Sequence, residues 1–343
     1  MVDPFPIVEV PIGDPDDFEQ LGTKRKFWFD RQPDVMGQEE PAQKTPGQQM
    51  LFKAVKIETG NRAGEDWAEK VVCELAAQLG VPHVHYEMAQ TRSEMTLPTG
   101  SPFSEIVPGV VCERCNRQGQ DLVHGNQLIY DQDPDYLVEQ PKRHKATQHT
   151  VEAVAECMAR IGLPSKCWMT DVPSEIASAT DVFVGYLILD TLVANQDRHH
   201  ENWAAVQTGG SGENGGSLCL APTYDHGASL ARNVSDQEKR ERLESDNPTY
   251  QVPHFCRRAR SALFADGGVK PLPTLDAATR FAQYARAAAA AVAWATRVGS
   301  LRDQDFTAIV DRVPNHRLSP VASEFTQQLL QANRQRIVDE FLS

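Results

Sequence analysis

Between Asn195 and Asp225 the chain gathers acids, amides and histidines at spacings that suit phosphate chemistry. A helix-like apolar stretch carrying Phe183, Tyr186, Leu187 and Leu192 runs into Asn195-Gln196-Asp197-Arg198-His199-His200-Glu201-Asn202-Trp203, and such a polar run must emerge at a surface or a cleft. About twenty residues on, Leu218-Cys219-Leu220-Ala221-Pro222-Thr223-Tyr224-Asp225-His226-Gly227 reads as a short apolar strand ending in an acid and a glycine turn. Phosphoryl transfer needs one carboxylate beside the attacking hydroxyl and oxygen ligands that hold magnesium against the phosphates. Asp197 as base, Asn202 five residues later, and Asp225 with a glycine two residues on supply those parts in that order. Two other readings stand beside this one. Asp197, Arg198 and the histidines make an ordinary helix cap or solvated ion-pair loop in the first. In the second, His199, His200 and an acid hold a transition metal, although adjacent histidines in an extended loop point apart and no HExxH spacing exists.

The motifs Asn195-Gln-Asp197-Arg-His199-His-Glu-Asn202 and Ala221-Pro-Thr-Tyr-Asp225-His-Gly227-Ala-Ser229 resemble the catalytic and metal-binding loops of the HipA-like serine/threonine kinases, a family that itself resembles the phosphatidylinositol kinases. The resemblance implies an ATP- and Mg2+-dependent kinase acting on a protein Ser/Thr hydroxyl. Asp197 is then the catalytic base, Asn202 and Asp225 the magnesium ligands, and His199 an organiser of the cleft. His226-Gly227 stands where ordinary protein kinases have Phe-Gly. The same residues would equally phosphorylate a small molecule or a lipid headgroup. An ATP-binding pseudokinase is the non-enzymatic alternative, against which the presence of Lys53, Asp197, Asn202 and Asp225 counts.

A kinase needs a lysine on a central strand and a glutamate on the following helix. Alternation puts Leu51, Lys53 and Val55 on one strand face, where a lysine between apolar neighbours is unfavourable unless paired or facing phosphates. The family pattern places its glutamate eleven residues before the helix-ending glycine, which makes Glu69, before Gly80, the expected partner of Lys53 and Glu65 the runner-up. Surface charges on an exposed strand and helix are the plainer alternative. Gly22, Thr23, Lys24 and Lys26 offer the donors of a phosphate-covering loop, though the segment is not a GxGxxG and also reads as a basic turn. Where toxin members carry a phosphorylatable serine, three residues before this glycine, the sequence has Glu19, so control by autophosphorylation is not carried over. Phe103 to Pro108 fits the hinge, with Glu105 and Val107 backbone groups meeting adenine, or else a strand and turn. His124-Gly125-Asn126 resembles a motif of single-domain members of the family, beside the substrate.

The elements that must position these residues change character along the chain. Strands are predicted at 26–29, 50–55, 83–88, 103–111 and 121–130, with one helix over 65–79, whose apolar stripe Trp67, Val71, Leu75 and Leu79 stops at Gly80 and Pro82. Helices follow at 151–162, 174–194, 238–265, 274–298 and 321–341, with a Gly/Ser hairpin tip at 208–217. The pattern is α+β: a bilobal, protein-kinase-like fold with a small antiparallel-sheet lobe carrying one helix over 1–140 and a larger all-helical catalytic lobe over 141–343. The resemblance runs from about Leu21 to Arg334. Toxin members have a long segment ahead of the kinase core, whereas here the core starts almost at once, which weakens a toxin–antitoxin reading.

Composition narrows the partners. With 343 residues, 41% of them hydrophobic, and a net charge of −13, the chain is a poor general binder of nucleic acid or anionic membrane. No apolar run approaches the ~20 residues of a membrane span. The acidic, Pro-rich start does not read as a signal peptide. Seven cysteines, an odd number, suggest free thiols in a cytoplasmic protein. Cys112 and Cys115 have zinc-knuckle spacing but lack a second pair, which favours free cysteines. Lys142 to Lys145 reads as a solvated basic patch. The segment 226–242, with Arg232, Lys239, Arg240 and Arg242 among few large apolar residues, is expected to be a loop lining the acceptor side of the cleft, or else a connector into a helix.

Overall fold

The computed structural model describes residues 2–11, 26–30, 49–55, 57–58, 61–62, 64–96, 102–117, 119–136, 146–209 and 216–343. Its first elements are strands β1 (Val8–Val10), β2 (Lys26–Asp30), β3 (Gln49–Ala54), β4 (Ile57–Glu58) and β5 (Asn61–Arg62). Helix α1 (Glu65–Leu79), strands β6 (Tyr86–Thr96), β7 (Pro102–Glu113) and β8 (Gln120–His124), and helices α2 (Gly125–Tyr130), α3 (Val151–Met158) and α4 (Ala179–Leu192) follow. Next come β9 (Ala204–Thr208), β10 (Ser217–Leu220) and six helices: α5 (Asp236–Glu244), α6 (Val252–Arg258), α7 (Thr274–Tyr284), α8 (Ala288–Ser300), α9 (Asp303–Val310) and α10 (Pro320–Phe341). The α+β class expected from the sequence holds.

One sheet has the strand order β1-β6-β7-β3-β2; a second has β10-β9-β8, and β4 and β5 pair with each other. The first sheet is mixed, not wholly antiparallel as expected, because β1 runs parallel to β6 with Val8 opposite Ala89. Its register decides where Lys53 points. Leu51 lies opposite Cys112 and Lys53 opposite Val110, while Tyr86 also faces Cys112, so these side chains share one face. Leu51, Val84, Tyr86, Val110 and Cys112 pack there with Cys73 of α1. The alternate residues, Phe27, Phe52, Ala89 and Val111, form a separate core on the other face.

Helix α1 is buried along most of its length, including four charged residues, Glu65, Asp66, Glu69 and Lys70. Burying charge is unfavourable unless each is matched, and each has a partner: Glu65 with Arg232 at 3.2 Å, Asp66 with Arg317 at 2.9 Å, Lys70 with Glu74 and Glu87, and Glu69 with the backbone of His226. The helix stops at Gly80, whose φ of 73° is left-handed and where a Cβ would lie 1.9 Å from the Asp171 carbonyl oxygen, a position only glycine fits. Helix α4 is apolar all round and buried, packed against α7, α8 and α10 in the main core. Each fully buried Leu, Val or Phe there contributes about 1.5–3 kcal/mol. Besides Asp181 in the first turn, this helix carries a second acid in its interior, Asp190, which is 2% exposed.

Several expected elements differ. The second part is not all-helical: β9 and β10 pair antiparallel, and β8 joins them through pairs such as His124 with Ala204. Strand β8, although it precedes residue 140, belongs to this second sheet because it hydrogen-bonds to β9. The strand expected over 121–130 turns helical at Gly125. The helix expected over 238–265 breaks where Asn247, before Pro248, caps its own turn by accepting from Thr249 N–H. That over 274–298 breaks at Arg286, whose φ is 55°. Short α9, capped by Asp305 on the Arg302 backbone N–H, has too few residues to show a period.

Candidate active site

The polar run after α4 is held by a buried ion pair. Arg198, fully buried, donates from Nε and Nη2 to the two oxygens of Asp190 at 2.8 Å each. Its Nη1 reaches the Asn202 carbonyl at 2.6 Å and its Nη2 lies 3.1 Å from His226 Nε2. Removing one partner of such a bidentate buried pair costs about 3–5 kcal/mol. Asn195 joins the frame, donating from Nδ2 to Asp190 and accepting the Asp197 N–H at Oδ1. Just before it, Ala194 holds φ 53°, a conformation that costs a non-glycine residue of order 1–3 kcal/mol and is kept only where its surroundings enforce it.

This frame presents Asp197, Asn202 and His199 together. The Asp197 side chain is 42% exposed, with His199 Nε2 3.8 Å from its Oδ1. His199 Nδ1 accepts the Glu201 N–H at 3.1 Å, so the neutral ring carries its proton on Nε2, facing Asp197. Asn202 donates from Nδ2 to the Asp197 carbonyl at 2.7 Å, which turns Oδ1 into the atom it offers a cation. The adjacent histidines do point apart: His200 pairs with Tyr136 and lies tilted against His149, while His199 faces Asp197.

Asp225 arrives from β10 with φ 59°, left-handed backbone that Asp tolerates better than most residues. Its carboxylate lies 3.8 Å from Lys53 Nζ. Tyr86 bridges the two, accepting from Lys53 Nζ at 3.4 Å and from the Asp225 N–H at 3.3 Å. Burial works to lower the Lys53 pKa, but the field of Asp225, Cys112, Glu69 and Glu65 outweighs it and raises the pKa above the ordinary value. Burial, with the nearby Glu69, pushes the Tyr86 hydroxyl well up, so it stays protonated. The expected Lys53–Glu69 ion pair is not made directly: among the described residues the partners of Lys53 are Asp225 and Tyr86. Glu69 instead accepts the His226 N–H at 2.8 Å and sits 3.9 Å from His226 Nδ1. Runner-up Glu65 is taken by Arg232. The physical reason is reach, since α1 lies against the backbone after Asp225 and its carboxylates meet that first.

His226 is the joint of the assembly. Its Nε2 faces an Arg198 N–H, which only donates, so Nε2 accepts and Nδ1 carries the proton toward Glu69. Burial and the Arg198 charge depress its pKa well below the usual range and keep it neutral. Neither Asp190 nor Tyr86 stands out as a site residue in the sequence. Asp190 has a signal, a lone acid inside an apolar helix; a buried tyrosine in a strand has almost none.

The other expected residues fall as follows. Gly22, Thr23 and Lys24 lie outside the described residues. Lys26 is opposite Lys53 in the β2–β3 register. Glu105 and Val107 are inside β7, paired with Ser93 and Thr91, in a strand that continues through Glu113, which is the strand alternative of the sequence reading. His124-Gly125-Asn126 docks on the catalytic loop through backbone bonds from Gly125 to Trp203 and from Asn126 to His200, and His124 Nδ1 lies 3.0 Å from the Glu201 carbonyl. A Cβ at Gly125 would lie 2.2 Å from the Trp203 ring. Of the cations expected to line a loop after Asp225, Arg232 bonds the Gly227 carbonyl and Glu65, Lys239 is buried, and Arg242 pairs with Glu238 and stacks on Tyr250. The segment forms α5, capped by Ser235, and these three cations serve the fold. All seven cysteines are free. Burial pushes Cys112 up to about 12 and Cys115 up to about 11.

No protein-family model matches the sequence, and comparison with curated proteins returns no match. Solved structures do match. The Helicobacter pylori proinflammatory kinase CtkA superposes with a TM-score of 0.62 at 15% identity, over 98% of this chain and 99% of that one. HipA from Shewanella oneidensis MR-1, in a toxin–antitoxin complex with HipB and operator DNA, matches with a TM-score of 0.47 at 11% identity, over 95% of this chain and 66% of that one. The fold is therefore a kinase fold, shared end to end with CtkA, and it meets the kinase resemblance of residues 195–229.

Proposed function

We propose that this chain is an ATP- and Mg2+-dependent phosphotransferase of the HipA-like kind, acting on a protein Ser/Thr hydroxyl in the cytoplasm. The observation that carries the reading is the convergence of Lys53 on Asp225 at 3.8 Å, with the next residue, His226, joined to Arg198 of the Asp197–Asn202 turn at 3.1 Å, in a fold shared with a kinase. The donor set suits the metal: Asn202 Oδ1 and the Asp225 carboxylate are hard oxygen ligands of the type magnesium takes. When bound, magnesium supplies positive charge against the phosphates. The chain's own residues do the rest. Lys53, held charged by its acidic neighbours, offsets phosphate charge. Tyr86 aligns Lys53 with the Asp225 backbone, and Glu69 fixes the loop that carries Asp225. Asp197 accepts the proton of the acceptor hydroxyl as its oxygen bonds to the γ-phosphorus and the β–γ bridging P–O bond breaks, releasing ADP. The part built on the first sheet then acts as the nucleotide-holding lobe and the mostly helical part as the catalytic lobe. Incubation with labelled ATP and cell lysate, followed by separation of protein from small molecules, tests this. Label on protein serine or threonine supports it, label on a metabolite or lipid reassigns the acceptor, and no label with Mg2+ present overturns it.

A further inference from the structure

On the side of α1 facing β6, three side chains that take no part in the proposed phosphotransfer converge. Cys73 of α1 meets His83 and His85 of the segment leading into β6, with one ligand atom from each within 4.8 Å of the others. Cys73 Sγ lies 3.6 Å from His85 Nδ1. A tetrahedral zinc with Zn–S of ~2.3 Å and Zn–N of ~2.0–2.1 Å holds sulfur and nitrogen about 3.6 Å apart. The outer ring atoms are already committed in the way metal-binding histidines are. His83 Nδ1 is 2.7 Å from the Val81 carbonyl, which can only accept, so the proton sits on Nδ1 and the lone pair on Nε2. His85 Nε2 is 2.7 Å from Glu87 Oε1, which leaves the Nδ1 lone pair facing the sulfur. Glu87 is in turn held by buried Lys70 at 2.9 Å. The sulfur accepts the Tyr86 N–H at 3.3 Å, a bond that stabilises a thiolate.

We infer that Cys73, His83 and His85 form a zinc site with three protein ligands and a fourth position for water. The site ties the middle of α1 to the start of β6, next to the tyrosine whose hydroxyl bridges Lys53 and Asp225.

The test uses the full chain, purified without chelator, and reads metal by mass spectrometry and by titration with Co2+ alone. Expected are one zinc per chain and, with cobalt, a thiolate charge-transfer band and tetrahedral d–d bands that Zn2+ abolishes. Cys73→Ser should lose the charge-transfer band. His85→Gln, at a position 54% exposed and so tolerant of replacement, should weaken Co2+ binding at least tenfold while the chain stays folded. Cys115→Ser should leave both readouts unchanged. A wild-type chain that takes up no stoichiometric cobalt, or metal retained in Cys73→Ser and His85→Gln, overturns the site in favour of a metal-free thiolate–imidazole cluster, and loss in Cys115→Ser moves the metal to the CxxC. None of these readouts requires phosphotransfer.

Discussion

Two sets of charges lie side by side around the metal loop and are treated in opposite ways. Asp190, Arg198 and His226 are buried and bonded to one another and to backbone. Asp197 and Asp225, by contrast, keep 42% and 36% of their side-chain surface exposed. The first set is a frame and the second a working face. A charge in a closed, bidentate pair cannot respond to a ligand without breaking its partner, whereas a half-exposed carboxylate 3.8 Å from an ammonium can exchange that neighbour for a cation or a phosphate. On the proposed function, the frame fixes geometry and the face does the chemistry.

The sharpest way to break this contrast is to neutralise one acid from each set. Asp197→Asn should lower phosphotransfer by roughly 10²–10⁴-fold with ATP affinity and melting temperature little changed. Asp190→Asn should do the reverse at first sight, destabilising the fold by about 3–5 kcal/mol, as read by denaturant unfolding. The pair Asp190→Leu with Arg198→Met should regain much of that stability without regaining activity. An Asp190→Asn protein as stable as wild type would show that the frame is not a frame.

Next comes the metal. ATP should raise the melting temperature far more with Mg2+ than with EDTA, since a ligand binding only the native state stabilises it, and Asp225→Asn should remove most of the difference. Equal shifts in both conditions would take Asp225 out of the working face.

A smaller effect extends the contrast to pH, through a buried histidine outside both sets. His149 donates from Nδ1 to the Ala262 carbonyl and accepts the Trp203 N–H. Burial brings its pKa down to about 3, against ~6.5 for an unfolded chain. Above pH ~6.5 the ring is neutral in both states and contributes no pH dependence. As pH falls from there toward 3, the unfolded chain takes up a proton that the folded chain refuses, so stability declines, by about 2 kcal/mol between pH 6.5 and 5. Unfolding curves of His149→Gln should lack that part of the acid slope; an identical slope in the variant assigns it to other groups.

Least in size is the coupling between Lys53 and Glu69. Since Glu69 acts on Lys53 through space while bonding His226, a double-mutant cycle on phosphotransfer with Lys53→Ala and Glu69→Gln should give a coupling near 0.5–1 kcal/mol, the low end for interacting residues. The cycle of Glu69→Gln with His226→Ala should couple more strongly. The opposite order would restore the direct Lys53–Glu69 pair.

Much of this was legible in residue order because local chemistry leaves local marks. Asp197, Asn202 and Asp225 sit in turns whose polar character is forced by the apolar helix and strand before them, and Lys53 alternates with apolar neighbours on a strand. Helix α1 announces its own end at Gly80. The α+β pattern follows from the change of period along the chain. Partner choice leaves no such mark. Whether Glu69 meets Lys53 or the His226 backbone depends on how closely α1 approaches the metal loop, and whether Glu105 is hinge or strand depends on how far β6 and β7 pair. Tyr86, Asp190 and the meeting of Cys73 with His83 and His85 were decided by tertiary packing alone. A buried polar group is explained only by what it bonds to, and those partners lie far away along the chain: His226 is 157 residues from Glu69 and Arg317 is 251 from Asp66.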